Sequence, residues 1–96
     1  MTVAKRASEQ ELQRLYQAFA ATIDPIQIEA LMEDLCTKSE LHEMAQRLNV
    51  AFLLDAGESY ITIQEKTGAS ATTIARVSKC LNYGSGAYRR VIDTET

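Results

Sequence analysis

The side chains best suited to recognise another molecule lie on one face of a predicted helix that runs from Ser70 to Asn82. Small and hydroxyl-bearing residues near its start allow close approach to base edges in a DNA major groove, and the basic residues that follow can donate to bases and phosphates. The residues of this face are Thr72, Ala75, Arg76 and Lys79. The composition is typical of a recognition helix, although the solvated face of an ordinary amphipathic helix can share it.

A glycine-containing turn connects this helix to a shorter one that precedes it. Gly68 lies at the turn, where a residue without a Cβ most easily adopts a positive φ. Ser70 is placed to cap the second helix through its hydroxyl. Apolar residues recur where the two helices must touch, and these are Ile63, Ala69, Ile74, Val77 and Leu81. The segment from Tyr60 to Lys79 therefore predicts a helix-turn-helix.

Apolar residues at spacings of three and four, separated by capping signals, predict further helices on both sides of this hairpin. The predicted signals are a start near Ser8, a cap at Asp24-Pro25, a capping box over Thr37–Glu40, a stop at Gly57, a capping box over Thr62–Glu65, a glycine cap at Gly84 and a short last helix around Tyr88–Ile92. The third helix should be the longest, with a buried stripe of Leu41, Met44, Ala45, Leu48 and Phe52. We predict an all-α fold of six helices in a single domain over residues 1–96, with flexible ends at residues 1–8 and 93–96.

Length and composition agree with one small helical domain. The chain has 96 residues, of which 46% are hydrophobic, with no Trp and one Pro. No apolar run approaches the roughly 18 residues of a membrane span, and the N-terminus lacks the apolar core of a signal peptide, so we expect a cytoplasmic protein. The first two helices carry wider apolar stripes than so short a chain can bury, which predicts a homodimer, with a monomeric bundle as the alternative.

The distribution of charge favours nucleic-acid contact at the hairpin despite a formal net charge of -3. Five basic and two acidic residues lie between Ala56 and Ile92, whereas five basic and nine acidic residues precede them. Phosphate contact depends on Lys and Arg, and the excess of basic residues around the hairpin is small. We therefore predict non-specific DNA binding that is weak and sensitive to salt. The candidates for phosphate contact are Lys66, Lys79, Arg89 and Arg90.

No pattern in the sequence indicates an enzyme or a metalloprotein. Cys36 and Cys80 are isolated, without a Cys-x-x-Cys pair or a histidine at ligand spacing. The single histidine, His42, has no nearby Ser or Cys nucleophile. The function class that competes with a DNA-binding regulator is a helical protein-interaction adaptor whose hairpin docks on another protein.

Six short motifs resemble the Trp repressor superfamily, in particular its YerC/YecD-like branch. They are Leu-Cys-Thr-Lys-Ser-Glu at 35–40, Gln46-Arg47-Leu48, Gly57-Glu58, Thr67-Gly-Ala-Ser70, Thr73-Ile-Ala-Arg76 and Cys80-Leu-Asn-Tyr-Gly84. The resemblance covers residues 12–92 and implies an intertwined homodimer, insertion of two hairpins into successive major grooves of double-stranded DNA, and a role in transcriptional repression. It places base reading at Ser70, Ala71, Thr72 and Ala75.

The tryptophan-binding members of that superfamily hold their ligand between two arginines, which match Arg47 and Arg76. Thr37 matches another pocket residue. This chain differs from those members at two positions of the ligand slot. Val77 replaces a glycine that leaves room for the ligand, and Cys80 replaces a serine that can hydrogen-bond to it. We therefore expect no cofactor and no response to tryptophan. Either a different small-molecule corepressor enters a reshaped slot, or Val77 fills the slot and DNA binding needs no effector.

Overall fold

A computed structural model describes residues 5–95, so the predictions for residues 1–4 and 96 lie outside the described part of the chain. The chain divides into two compact units, one ending at Thr37 and the other starting at Lys38. All regular structure in residues 5–95 is helical, which confirms the all-α prediction. The helices are α1 (Glu9–Ala21), α2 (Pro25–Leu35), α3 (Lys38–Asp55), α4 (Tyr60–Thr67), α5 (Ala71–Tyr83) and α6 (Ala87–Glu95).

The first unit contains α1 and α2, whose predicted starts are confirmed. The Ser8 hydroxyl accepts a hydrogen bond from the backbone N–H of Glu11 at 3.1 Å, and the Asp24 carboxylate accepts one from Ile26 at 2.9 Å. Pro25 opens α2, where its missing N–H costs no intrahelical bond. Neither helix contains a fully buried residue, and Ile23 is 87% exposed. The apolar side chains of this unit are therefore at most partly buried.

The second unit has a core that α3 shares with the three later helices. Its buried residues are Val50, Ala51, Ile63, Ala69, Ile74, Val77 and Ile92. The predicted stripe of α3 is confirmed only in part. Phe52 packs against the core and Leu41 and Met44 are half-buried, but Ala45 and Leu48 are exposed, and the fully buried residues of the helix are Val50 and Ala51. Residues 50–54 of α3 are all apolar, so spacing alone could not identify the face that α4, α5 and α6 cover.

Glycine and serine residues set the connection from α3 to α4. Gly57 has a φ of 84° and donates its N–H to Leu54, while the N–H of Glu58 donates to Leu53, which is the Schellman arrangement. This confirms the predicted stop. The capping box over Thr62–Glu65 was wrong as a helix start, because Ser59 caps α4 three residues earlier, accepting from the Thr62 N–H at 3.2 Å.

The connection from α5 to α6 uses a glycine for a different reason. Gly84 follows α5 as predicted, but its φ is -85° and its N–H donates to the Cys80 carbonyl. A Cβ at residue 84 would collide with that carbonyl oxygen, so close backbone approach requires glycine there. Helix α6 then continues through Asp93 to Glu95, residues that we predicted to be flexible. Among the described residues, no helix has the length and apolarity to span a membrane.

Candidate nucleic-acid interface

Helices α4 and α5 form the predicted helix-turn-helix, and buried apolar residues hold the two helices together. Ile63 on α4 and Ile74 and Val77 on α5 are at most 1% exposed. Gly68 ends α4 with a φ of 75°. The Thr67 hydroxyl donates to the Ile63 carbonyl at 2.7 Å and accepts from the Ala69 N–H at 3.1 Å. The turn between the helices is thus fixed by both packing and hydrogen bonds.

Ser70 caps α5 and uses its hydroxyl within the helix start. Its oxygen accepts from the Thr73 N–H at 3.1 Å, and the hydroxyl donates to the Thr73 hydroxyl oxygen at 3.0 Å. Both hydrogen-bonding directions of the side chain are therefore engaged. The structure gives Ser70 a capping role, which leaves its side chain less free for a DNA base.

The outward face of α5 carries the candidate DNA contacts at the protein surface. Ala71, Thr72, Ala75, Arg76 and Lys79 are all exposed, as is the cap residue Ser70. The buried residues of α5, Ile74 and Val77, lie on its opposite side. Within residues 5–95 the Thr72 hydroxyl has no hydrogen-bond partner, so it is available to an external group. The structure brings the predicted α5 contacts onto one accessible surface.

The basic residues proposed for phosphate contact differ in their surroundings. Lys66 forms a 2.9 Å ion pair with Glu58, and Arg89 forms a 2.6 Å ion pair with Asp55. The hydrogen bond and the negative charge of Asp55 raise the pKa of Arg89 above its ordinary value. In the described part of the chain, Arg76, Lys79 and Arg90 have no ion-pair partner. Arg76 and Lys79 are thus the basic residues of the hairpin without an ion-pair partner in residues 5–95.

A polar cavity of about 260 Å³ lies between α3 and α5 and contains both arginines of the predicted effector pocket. Its lining residues are Glu43, Gln46, Arg47, Thr73 and Arg76. Sequence reasoning missed Glu43, Gln46 and Thr73 as lining residues. The spacing contains the signal for two of them, because Glu43 lies four residues before Arg47 and Thr73 three before Arg76, and such residues share a helix face. Gln46 is adjacent to Arg47 and has no such signal.

Val77 and Cys80, two of the remaining effector-pocket candidates, lie outside this cavity. Val77 is 1% exposed within the apolar core, and Cys80 lines a separate apolar cavity of about 380 Å³ together with Leu48, Tyr88 and Val91. Thr37 belongs to the first unit. The structure therefore joins two of the five candidates, Arg47 and Arg76, in one cavity. No group of three or more His, Cys, Asp or Glu residues in positions 5–95 is arranged to hold a metal ion.

Comparisons with known proteins give consistent matches over nearly the whole chain. Residues 10–96 match the sequence model of the Trp repressor protein family. The uncharacterized protein YerC of Bacillus subtilis is 43% identical over 90 residues, which are 90% of this chain and 86% of that protein.

Two solved structures have the same fold. A candidate Trp repressor from Staphylococcus aureus superposes with a TM-score of 0.85 at 33% identity, covering 92% of this chain and 88% of that one. A TrpR-like protein from Eubacterium eligens superposes with a TM-score of 0.84 at 40% identity, covering 88% of each chain.

Proposed function

Because the chain belongs to the Trp repressor protein family, we propose that it is a sequence-specific DNA-binding regulator that represses transcription as a homodimer. The observation that carries this proposal is the outward face of α5, where small, hydroxyl-bearing and basic side chains are exposed on a hairpin whose opposite side is buried. A helix presented in this way can enter a DNA major groove. Homodimer formation would place two copies of α5 about one DNA turn apart, roughly 34 Å.

The side chains of this face divide into base-reading and phosphate-binding groups. Thr72 is the proposed hydrogen-bonding reader, because its hydroxyl has no partner among residues 5–95. Ala71 and Ala75 offer apolar contact, for example to a thymine methyl group. Arg76 and Lys79 supply unpaired positive charge at the same surface. Direct readout by so few polar groups is sparse, so DNA shape and bridging water contribute to specificity.

Lys66 and Arg89 contribute less to phosphate binding than Lys79 in this proposal. Each already contacts a carboxylate, of Glu58 and Asp55 respectively, and a phosphate must replace that contact. Exposed ion pairs contribute about 0–1 kcal/mol, so the replacement is possible but reduces the net gain. Lys79 has no such competing partner in the described residues.

We also propose that Arg47 and Arg76 form the effector cavity, if the protein responds to a small molecule. Two guanidinium groups line a cavity with Glu43, Gln46 and Thr73, so a suitable ligand is polar and carries an anionic group. The expectation that tryptophan is not the corepressor rests on the sequence, because the buried Val77 does not line this cavity. The separate location of Cys80 gives no support to its role in the same pocket.

The test is selection from a random duplex DNA pool at moderate salt, with and without tryptophan. Enrichment of a two-fold symmetric site without ligand is the expected result. Thr72→Val, which removes the hydroxyl and keeps the shape, should lower affinity for the selected site about fivefold and leave random DNA unaffected. Thr94→Val on α6 is the matched control and should change neither affinity. If no sequence is enriched in either condition, the protein-interaction adaptor or an unidentified effector becomes the favoured interpretation.

A further inference from the structure

One side chain outside the helix-turn-helix is bonded to the turn of the hairpin. Gln46 on α3 donates a hydrogen bond from Nε2 to the backbone carbonyl of Thr67 at 3.0 Å. Thr67 is the last residue of α4, immediately before Gly68. Outside residues 67–69, the same Nε2 is the nearest atom to the position that a Cβ on residue 68 would occupy, at 4.0 Å. Gln46 therefore contacts the backbone where the chain leaves α4.

This hydrogen bond constrains the orientation of the turn relative to α3, which the apolar core does not. The carbonyls at the end of a helix have no intrahelical partner, so the Thr67 carbonyl needs an external donor. Burial of Val50 and Ile74 holds α3 and α5 together, but burial of apolar surface is non-directional and tolerates small rotations. A bond of defined length and angle from α3 to the turn restricts such a rotation.

From these contacts we propose that Gln46 is a positioning residue that fixes the orientation in which the hairpin presents α5 to DNA. The inference rests on the proposed DNA-binding function and adds to it a residue that acts from another helix. Gln46 is half-buried, lies on α3 and bonds to the turn, so it acts through Thr67. Gln46 also lines the cavity of Arg47 and Arg76, so a single side chain contacts both the turn and the cavity.

The first test removes the donor while keeping a similar side-chain length. Gln46→Met should lower the ratio of specific to non-specific DNA affinity about fivefold, the loss expected when one hydrogen bond no longer restricts the hairpin. Gln13→Met is the matched control, because Gln13 is exposed on α1, and it should leave the ratio unchanged. Gln46→Lys restores a donor of sufficient reach and should recover most of the ratio. A purely structural role for residue 46 would reduce the melting temperature without this rescue.

The second test measures the turn without DNA. Amide hydrogen exchange at Gly68 and Ala69 should be about fivefold faster in Gln46→Met, unchanged in Gln13→Met and restored in Gln46→Lys. Unchanged exchange, or an unchanged affinity ratio in a protein that selects a DNA site, overturns the proposed role of Gln46. If the wild-type protein selects no DNA sequence while exchange responds as expected, the proposed function fails and the bond from Gln46 to the turn stands.

Discussion

Two hydroxyl residues near the start of α5 illustrate how the partners of a side chain decide its role. Ser70 and Thr72 are both exposed and chemically similar. The Ser70 hydroxyl accepts from one backbone N–H and donates to the Thr73 hydroxyl, so its only donor is used at the helix start. The Thr72 hydroxyl has no partner within residues 5–95. Residue type alone makes both candidates for base reading, whereas the local geometry favours Thr72.

Lys66 has an ion-pair partner and Lys79 has none in residues 5–95, which leads to a prediction about the salt dependence of DNA affinity. Lys79→Ala should weaken binding to all DNA sequences and reduce the slope of log affinity against log salt by about 0.9, the contribution of one phosphate contact. Lys66→Ala should reduce the slope by less, because Lys66 is paired with Glu58. Filter-binding or fluorescence titrations over a range of salt concentrations measure both slopes. Equal slopes for Lys79→Ala and the wild-type protein would exclude Lys79 from the interface.

Val77 permits a second prediction at the residue scale, about the ligand slot. Val77→Gly should lower the free energy of unfolding by roughly 3 kcal/mol, since it removes a buried side chain and places glycine inside a helix. On the sequence-based hypothesis that Val77 fills the slot, the substitution should also give measurable tryptophan binding in calorimetry, which we expect to be absent in the wild-type protein. Ile92→Ala on α6 is the control for a core destabilisation of similar size and should gain no binding. Tryptophan binding to the wild-type protein would contradict this interpretation of Val77.

At the scale of elements, the three helix-ending glycines serve two distinct physical purposes. Gly57 and Gly68 have positive φ values of 84° and 75°, which disfavour any residue with a Cβ. Gly84 has a negative φ and is required by its close approach to the Cys80 carbonyl. Sequence position suggested one role for all three. The backbone conformation distinguishes them, and of the two helix-ending glycines with positive φ, Gly68 lies within the candidate reading unit.

A matched pair of glycine substitutions separates stability from DNA recognition. Gly68→Ala and Gly57→Ala should each cost roughly 1–2 kcal/mol of folding free energy, because neither site is crowded and the backbone conformation is the main penalty. For a chain of this size, each 1 kcal/mol lowers the melting temperature by about 4–8 °C. Gly68→Ala should also reduce specific DNA affinity, since residue 68 adjoins the bond from Gln46, whereas Gly57→Ala should not. Similar DNA affinities for the two variants would show that the turn does not control recognition.

At the scale of the whole molecule, the two units differ in how completely their apolar side chains are buried. The second unit has a continuous apolar core, whereas α1 and α2 contain no fully buried residue. Ile26 at the start of α2 is 76% exposed, and Tyr16 on α1 is 55% exposed. A small chain that leaves such side chains uncovered gains stability by burying them against a partner. This supports the proposed homodimer.

The homodimer can be tested with a charge placed on the exposed apolar surface of the first unit. Ile26→Asp should shift the protein towards monomer in sedimentation equilibrium, because an unpaired carboxylate opposes burial. DNA affinity should fall more than tenfold, since each monomer then binds only one half-site. Gln27→Asp adds the same charge at the next exposed position of α2 and should preserve the wild-type assembly. A wild-type protein that sediments as a monomer at micromolar concentration would refute the homodimer.

Sequence alone determined the helical class, the caps at Ser8, Asp24 and Ser70, and the packing residues of the hairpin. These features depend on local hydrogen bonds and helical periodicity, which a short stretch of sequence contains. The same signals failed for the start of α4, where Ser59 and Thr62 were both suitable and lay one helical turn apart. They also failed along α3, where continuous apolar residues left its buried face undefined.

Only the tertiary structure decided which residues from separate helices meet. Local rules do not place Gln46 against the Thr67 carbonyl 21 positions away, or join Arg47 and Arg76 in one cavity while Cys80 lines another. They also do not show that Arg89 forms an ion pair with Asp55, whereas Lys79 on the hairpin has no ion-pair partner in residues 5–95. These contacts depend on the packing of α3 against α4, α5 and α6, because a helix's own sequence fixes its periodicity but not the rotation at which its neighbours cover it.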